Sequence, residues 1–324
     1  MLEQQIFHIK SNKDFENIAL EVFQYQFRQV SAYRTYCELL HIRPDTVKAV
    51  RDIPFLPIEL FKKLTVISSE KKPETTFTSS GTTGSITSKH VVADLGLYRT
   101  SFLHGFKHFY GDPNELVILA LLPSYLEREG SSLVYMVDQL IKETNNPHSG
   151  FYLNELDTLA EKLTALDHAG KKVLLLGVSY ALLDLIEQRT FQLKNTYVME
   201  TGGMKGQRQE MIKEALHARL KTGFGVQKIH SEYGMTELLS QAYSKGDGLF
   251  SCPPWMRILT RDPEDPFALV NGRTGGINVI DLANLNSCSF IATQDLGKTY
   301  ADESFEILGR FDTSDIRGCN LMVL

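Results

Sequence analysis

Residues 172–200, KVLLLGVSYALLDLIEQRTFQLKNTYVME, decide the fold. A short apolar run at 173–176 ends at a glycine, a helix-like segment follows at about 180–189, and a second short run comes at 197–200. Short apolar runs bounded by turn residues read as buried strands. A strand, a helix and a strand in succession predict parallel pairing, because a parallel partner is reached only through a crossover. The same alternation extends on both sides. Candidate strands at 116–122 and 226–230 are interleaved with helix-like stretches at about 94–110, 131–143, 155–169 and 207–221. The pattern predicts an α/β fold of mainly parallel sheets flanked by helices. Beyond residue 246, Gly, Pro and Asn punctuate shorter strands at 256–259, 276–281 and 289–292, which predicts a smaller β-rich subregion.

At the other end, Phe15, Ile18, Ala19, Val22, Phe23, Phe27 and Val30 recur at the spacing of one buried helical stripe. One long amphipathic helix is expected over 12–42, capped by Ser11 or Asn12 and stopped at Arg43-Pro44. Pro54 and Pro57 make the following stretch an irregular connector. Three regions are expected: an N-terminal helical segment packed on the core (1–76), an α/β core (77–245) and a β-rich subregion (246–324).

The 324 residues carry 34 Lys+Arg against 39 Asp+Glu, a net charge of −5, and 43% are hydrophobic. That balance is ordinary for a globular protein and argues against general attraction to nucleic acid or anionic lipid. No apolar run reaches the roughly 18 residues of a membrane span, and the first residues lack a signal-peptide pattern. Cys37, Cys252, Cys288 and Cys319 are far apart and show no zinc-ligand spacing. A cytoplasmic protein with reduced thiols is expected.

Four local clusters carry chemistry. Residues 78–84, Thr-Ser-Ser-Gly-Thr-Thr-Gly, combine five hydroxyls with two glycines, and Lys89 lies five positions further on. Such a loop suits phosphate oxygens, though a polar surface turn has the same composition. It is not a Walker A loop. Residues 230–237, His-Ser-Glu-Tyr-Gly-Met-Thr-Glu, follow a candidate strand, where open α/β sheets place ligands. Glu237 there could ligate Mg²⁺, and Tyr233 could stack on a base. The Gly177-Val178-Ser179 segment imitates a hydrolase nucleophile elbow, with Ala181 in place of the second glycine; an acid and then a histidine must follow the serine, parts that Glu200 and His230 could take only by assumption. Near the end stand Asp295, the Arg310–Asp312 pair, and Cys319 beside Arg317, a cation able to lower a thiol pKa.

Taken together, TSSGTTG, EYGMTE, TQDL (293–296) and GRFD (309–312) resemble the phosphate-binding, nucleotide–magnesium, ribose and hinge motifs of the adenylate-forming superfamily, in that family's order over about 235 residues. The segments 119–141, SGTTGSITSKH, METGGMKG (199–206) and the terminal DIRGCNLMVL resemble one branch, the LuxE-like acyl-protein synthetases of bacterial bioluminescence. The resemblance implies ATP-dependent activation of a carboxylic acid, of the fatty type, as an acyl-adenylate, followed by transfer to a cysteine near the C-terminus, by position Cys319. A partner protein would then take or reduce the acyl group. Alternatives are an acyl-CoA ligase or acyltransferase core needing a partner domain, and a nucleotide- or acyl-binding scaffold without catalysis.

Carried onto this sequence, the family pattern implies that Ser80, Gly81, Thr82, Thr83 and Gly84 surround the phosphates of ATP, with Lys89 assisting. Thr236 and Glu237 would contact the α-phosphate and Mg²⁺. Tyr233, Gly202 and Gly203 would flank adenine, and Asp295 with Arg310 would secure the ribose. Pro123, Ser124, Tyr125, Gly177, Val178 and Ser179 would line the acyl pocket. The sequence departs from the family where TGD becomes Thr293-Gln294-Asp295 and where the second hinge aspartate becomes Thr313. It runs only about twelve residues past Asp312, so the usual mobile C-terminal domain with its lysine is expected to be missing.

Overall fold

Ser11 starts the N-terminal helical layer by accepting a hydrogen bond from the Asp14 amide, the capping role expected of it. The computed structural model describes residues 2–79, 87–123, 130–202, 208–209 and 211–311. After a short helix α1 (Leu2–Ile6), the expected single helix is two: α2 (Asn12–Gln29) and α3 (Ser31–Leu39). The break is at Val30, whose extended backbone (φ −104°, ψ 97°) bridges to Ser68. A β-branched residue resists the helix and suits that bridge. This layer packs on the remainder through apolar residues such as Phe15, Val22 and Phe23. It is also pinned by Gln26, whose buried amide donates to the carbonyls of Asn284 and Leu285 at 3.0 Å.

The connector gives a two-residue strand β1 (Leu56–Pro57). A separate hairpin follows, β2 (Thr75–Thr78) with β3 (Lys89–Val92), in register Thr78↔Lys89. The hairpin's return strand feeds α4 (Leu95–Tyr110), capped by Asp94. The α/β alternation then runs β4 (Val117–Leu121), α5 (Ser132–Thr144), β5 (Gly150–Phe151), α6 (Leu156–His168), β6 (Val173–Val178), α7 (Ser179–Gln188), β7 (Thr196–Thr201), α8 (Lys213–Phe224) and β8 (His230–Tyr233). All of β4 and β6 is buried, as an apolar run without alternation requires. The strand expected at 226–230 begins four residues later. Gly225 takes the left-handed conformation (φ 68°) that ends α8, and the Val226 amide turns back to the Lys221 carbonyl, so 226 belongs to a helix cap. Helix α8 likewise starts at Lys213 rather than 207.

The C-terminal strands are β9 (Ala242–Ser244), β10 (Phe250–Ser251), β11 (Met256–Arg261), β12 (Leu269–Val270), β13 (Gly275–Asp281), β14 (Phe290–Thr299) and β15 (Phe305–Arg310). One hydrogen-bonded path joins them to the core in the order β12-β11-β13-β14-β15-β10-β9-β8-β7-β6-β4-β5, with β1 added beside β14. Pairing is parallel among β5, β4, β6, β7 and β8 and antiparallel from β8 through β12. The α/β expectation stands. Strands β7 and β8 both deliver their C-terminal ends to one rim, where open parallel sheets bind ligands. Among the described residues no helix is long and apolar enough to cross a membrane.

Candidate functional site

Register brings the first group together. Strands β14 and β15 pair antiparallel with Asp295 directly opposite Arg310, and the Arg310 guanidinium donates to Asp295 Oδ1 at 3.0 Å. From the end of β8, the Tyr233 hydroxyl donates to the other carboxylate oxygen, Oδ2, at 2.8 Å. Burial, and then the adjoining Asp295 carboxylate, push the Tyr233 phenol well above its usual range, so it stays a donor. The ring rests edge-on against Phe305 and Phe250. Three residues from three separate motifs thus share one polar cluster.

The second group is built by the hairpin. Its ladder continues past the Thr78↔Lys89 pair, with the Ser79 amide donating to the Ser88 carbonyl (3.1 Å) and the Ser88 amide to Ser79 Oγ (3.0 Å). Ser80, Gly81, Thr82, Thr83 and Gly84 lie outside the described residues, but both ends of their loop are placed. Ser88 lies close enough to the Glu237 carboxylate to favour its charged form. Burial holds that carboxyl above the ordinary carboxylate range, opposed by Ser88 and by the fields of Arg310 and Lys62. Two residues beyond Ser88, His90 Nδ1 meets the Thr236 carbonyl at 2.8 Å. Thr78 and Thr236 line the same cleft of about 170 Å³, together with Gly202 from the end of β7. Thr78, at the start of the hydroxyl-rich segment, and Thr236 therefore face one space.

Strand alternation separates Lys89 from this group. Ser88 and His90 are buried, whereas Lys89 is exposed on the other face of β3. Its placement gives it no contact with Glu237 in this structure.

Several residues that hold the site carry no sequence motif. His90, 1% exposed, also faces Asn284 Oδ1 through Nε2 at 3.1 Å. The Asn284 amide nitrogen donates to the carbonyls of Glu237 and Cys288, both at 2.8 Å, which fixes the amide orientation. Both His90 nitrogens thus face acceptors, and a doubly protonated ring would satisfy both. Burial opposes the charge and pulls its pKa down to about 4. Behind the turn, Asp281 accepts from the Leu239 and Ser240 amides at 2.7 and 2.9 Å. Partners 146 and 194 positions from His90 leave no local periodicity to read.

The remaining expected residues lie at the strand rim. Pro123 follows β4, and Ser124, Tyr125 and Gly203 lie outside the described residues, as does Cys319. Gly202 adopts φ 65°, the left-handed turn that ends β7. Ser179, the first residue of α7, is 2% exposed and donates to the Gly202 carbonyl at 2.9 Å. It therefore supports the β7 turn beside Gly177 and Val178. The hydrolase reading fails here, because His230 is bonded to the Tyr110 hydroxyl (3.1 Å). The histidine beside Glu200 is His217, at 3.4 Å, and Ser179 has no histidine partner.

Magnesium was expected on Glu237. No group of three or more His, Cys, Asp or Glu side chains suited to a metal occurs among the described residues. Mg²⁺ commonly uses one or two carboxylates with substrate phosphates and waters, so a single buried carboxylate beside a phosphate loop fits that chemistry. A cation would also relieve the burial that holds the Glu237 carboxyl above its ordinary range.

The profile described as "Acyl-protein synthetase, LuxE" matches residues 7–105. The chain is 24% identical over 323 residues to the long-chain-fatty-acid–luciferin-component ligase of Vibrio harveyi, covering 92% of this chain and 84% of that protein. It is 34% identical over 70 residues to the protein of the same description from Photorhabdus luminescens, 21% of this chain and 60% of that one. A 2-hydroxyisobutyryl-CoA ligase structure in an open conformation superposes with a TM-score of 0.67 at 14% identity, covering 94% of this chain and 72% of that one. ATP-bound MatB from Rhodopseudomonas palustris gives 0.54 at 18% identity, with 72% and 47% covered. These structures share the fold. With its N-terminal third matching the family profile and nearly its whole length aligned to one of these ligases, the chain is similar to the LuxE acyl-protein synthetases and shares the fold of the CoA ligases above.

Proposed function

We propose that the protein activates a carboxylic acid with ATP as an acyl-adenylate and transfers the acyl group to the thiol of Cys319. The observation that supports this reading is that Thr78, on the hairpin strand leading into the 80–84 segment, and Thr236 line one cleft, with His90 of the hairpin's return strand bonded to the Thr236 carbonyl. The activity for which these relatives are named, ligation of long-chain fatty acids, supports the same chemistry and an acyl chain of the fatty type.

In the first step a substrate carboxylate oxygen bonds to the α-phosphorus of ATP while the bond to pyrophosphate breaks. Loop amides and hydroxyls at 80–84 hold the phosphate oxygens, and positioning with electrostatics supplies most of the rate. Glu237 would hold Mg²⁺, which offsets charge on the phosphates. His90 and Asn284 fix the Thr236 and Glu237 carbonyls, so the turn bearing those side chains does not reorganise. Asp295, braced by Arg310 and Tyr233, presents its carboxylate to the ribose hydroxyls. In the second step the Cys319 thiolate adds to the acyl carbon, the bond to AMP breaks, and a thioester forms. A partner protein then takes or reduces that acyl group.

Incubation with radiolabelled acid and ATP tests both steps. The unaltered chain should catalyse ATP–pyrophosphate exchange and become labelled, and Cys319→Ala should keep exchange while losing label. Label that survives Cys319→Ala removes the thiol from the account. Turnover that depends on added coenzyme A moves the acceptor to that thiol. Nucleotide binding without exchange leaves only a scaffold.

A further inference from the structure

A short 3₁₀ helix, Ile58–Lys62, stands between the two polar groups of the site. Parallel pairing of β1 with β14, Pro57 opposite Ala292, sets its position along the sheet. Two positions further along both segments, the Gln294 amide donates to Glu59 Oε1 at 2.5 Å. Gln294 adjoins Asp295, so this bond ties the short helix to the ribose strand. On the other side Phe61, 1% exposed, meets the His90 ring edge-on at 5.9 Å between centroids. His90 in turn holds the Thr236 carbonyl. The 58–62 segment is therefore fixed against both the Asp295 cluster and the turn that bears Glu237.

In a 3₁₀ helix residues three apart eclipse one another, so Lys62 projects from the same side as Glu59. That side faces the Gln294–Asp295 segment. Lys62 is exposed and makes no ion pair among the described residues. The fields of Arg310 and Lys62 both favour the charged form of the Glu237 carboxylate. Arg310 is already committed to Asp295, whereas Lys62 acts on Glu237 from a distance without pairing with it. An uncommitted ammonium group thus stands across from the buried carboxylate.

Resting on the adenylation reading above, we infer that Lys62 binds the phosphates of the nucleotide, the part expected of Lys89. Lys89 is exposed on the far face of β3, turned away by strand alternation. A phosphate group between the Lys62 ammonium and a cation on Glu237 meets positive charge on both sides. Lysine suits that place as a compact point charge on a flexible stem.

ATP and adenosine binding to the full chain, each titrated with magnesium present, tests this. Lys62→Met keeps an unbranched stem and removes the charge. It should weaken ATP binding about 10- to 100-fold and leave adenosine within about twofold. Lys62→Arg, which keeps the charge, should recover most of that loss. Lys63→Met removes an equal charge one residue away and should leave ATP binding within about threefold. Unchanged ATP binding in Lys62→Met overturns the inference. An equal loss for adenosine also overturns it, since the residue would then act on the fold rather than on phosphate. A larger ATP loss in Lys89→Met than in Lys62→Met returns the phosphates to Lys89 and overturns it as well. Pyrophosphate exchange on the same proteins separates the two readings. Without exchange by the unaltered chain, an ATP-specific loss in Lys62→Met keeps Lys62 as a phosphate ligand while adenylation falls. Failure of the unaltered chain to bind ATP removes both. Should Lys62→Met not fold, Lys62→Gln carries the same comparison.

Discussion

Replacing Asn284 by alanine removes the one side chain that ties the Glu237 carbonyl to His90. Its amide nitrogen serves the Glu237 and Cys288 carbonyls at 2.8 Å each, and its oxygen faces His90 Nε2 at 3.1 Å. Asn284 is 0% exposed, so no water replaces these partners without a cavity large enough to hold it. Two buried carbonyls left without donors cost about 1–3 kcal/mol each, or about 2–6 kcal/mol together. Against a total stability of ~5–15 kcal/mol this is large. At the roughly 1.5 °C per kcal/mol that the entropy of unfolding implies for a chain of 324 residues, the melting temperature should fall by roughly 3–9 °C. Pyrophosphate exchange should fall as well, because the turn bearing Thr236 and Glu237 loses its anchor. Thermal melts and exchange assays on His90→Phe, Asn284→Ala and the double variant give the coupling. Because the two side chains share a contact, the double loss should undercut the sum of the singles by at least ~0.5 kcal/mol. Melting and exchange unchanged in Asn284→Ala, or strictly additive losses, would refute the idea that this network positions the turn.

Two other changes probe separate parts of the site. Asp295→Asn keeps the shape but loses a charged acceptor bonded by Tyr233 and Arg310, so KM for ATP in exchange should rise about 10- to 100-fold, and an unchanged KM would remove Asp295 from ribose binding. His230 is held at about 4 by burial and by Lys245 and Lys228, below the ~6.5 of an unfolded chain. Unfolded chains take up that proton below pH ~6.5 and the folded one only near 4, so this contribution is complete above 6.5 and lost as pH falls. The stability advantage over His230→Gln should therefore shrink by up to about 1.4 kcal/mol per pH unit between 6.5 and 4. Parallel pH curves in denaturant titrations would contradict it.

Legibility in the sequence followed the range of the interactions. The apolar runs at 116–122 and 173–176 are strands because burial on both faces leaves a continuous hydrophobic signal, which 197–200 carries only in part because Tyr197 is exposed. The helix break at Val30 and the delayed start of β8 were not legible. The first depends on a bridge to Ser68 and the second on the glycine cap of α8 outweighing the β-branched Val226. Motif order announced Tyr233, Glu237, Asp295 and Arg310. The hairpin flanking the loop left a weaker trace, the short alternation of Thr75–Thr78 and Lys89–Val92. His90, Asn284 and Asp281 left none, since a lone polar residue in an apolar neighbourhood looks the same whether or not a partner waits far along the chain.

The most direct measurement is ATP–pyrophosphate exchange by Glu237→Gln across a magnesium titration, with melting followed in parallel. If the loop at 78–88 and the 236–237 turn grip a single triphosphate, the variant should stay folded, exchange at least ~100-fold more slowly and need more magnesium. Full-rate exchange with an unshifted magnesium requirement would mean that the Glu237 carboxylate has no part in binding nucleotide.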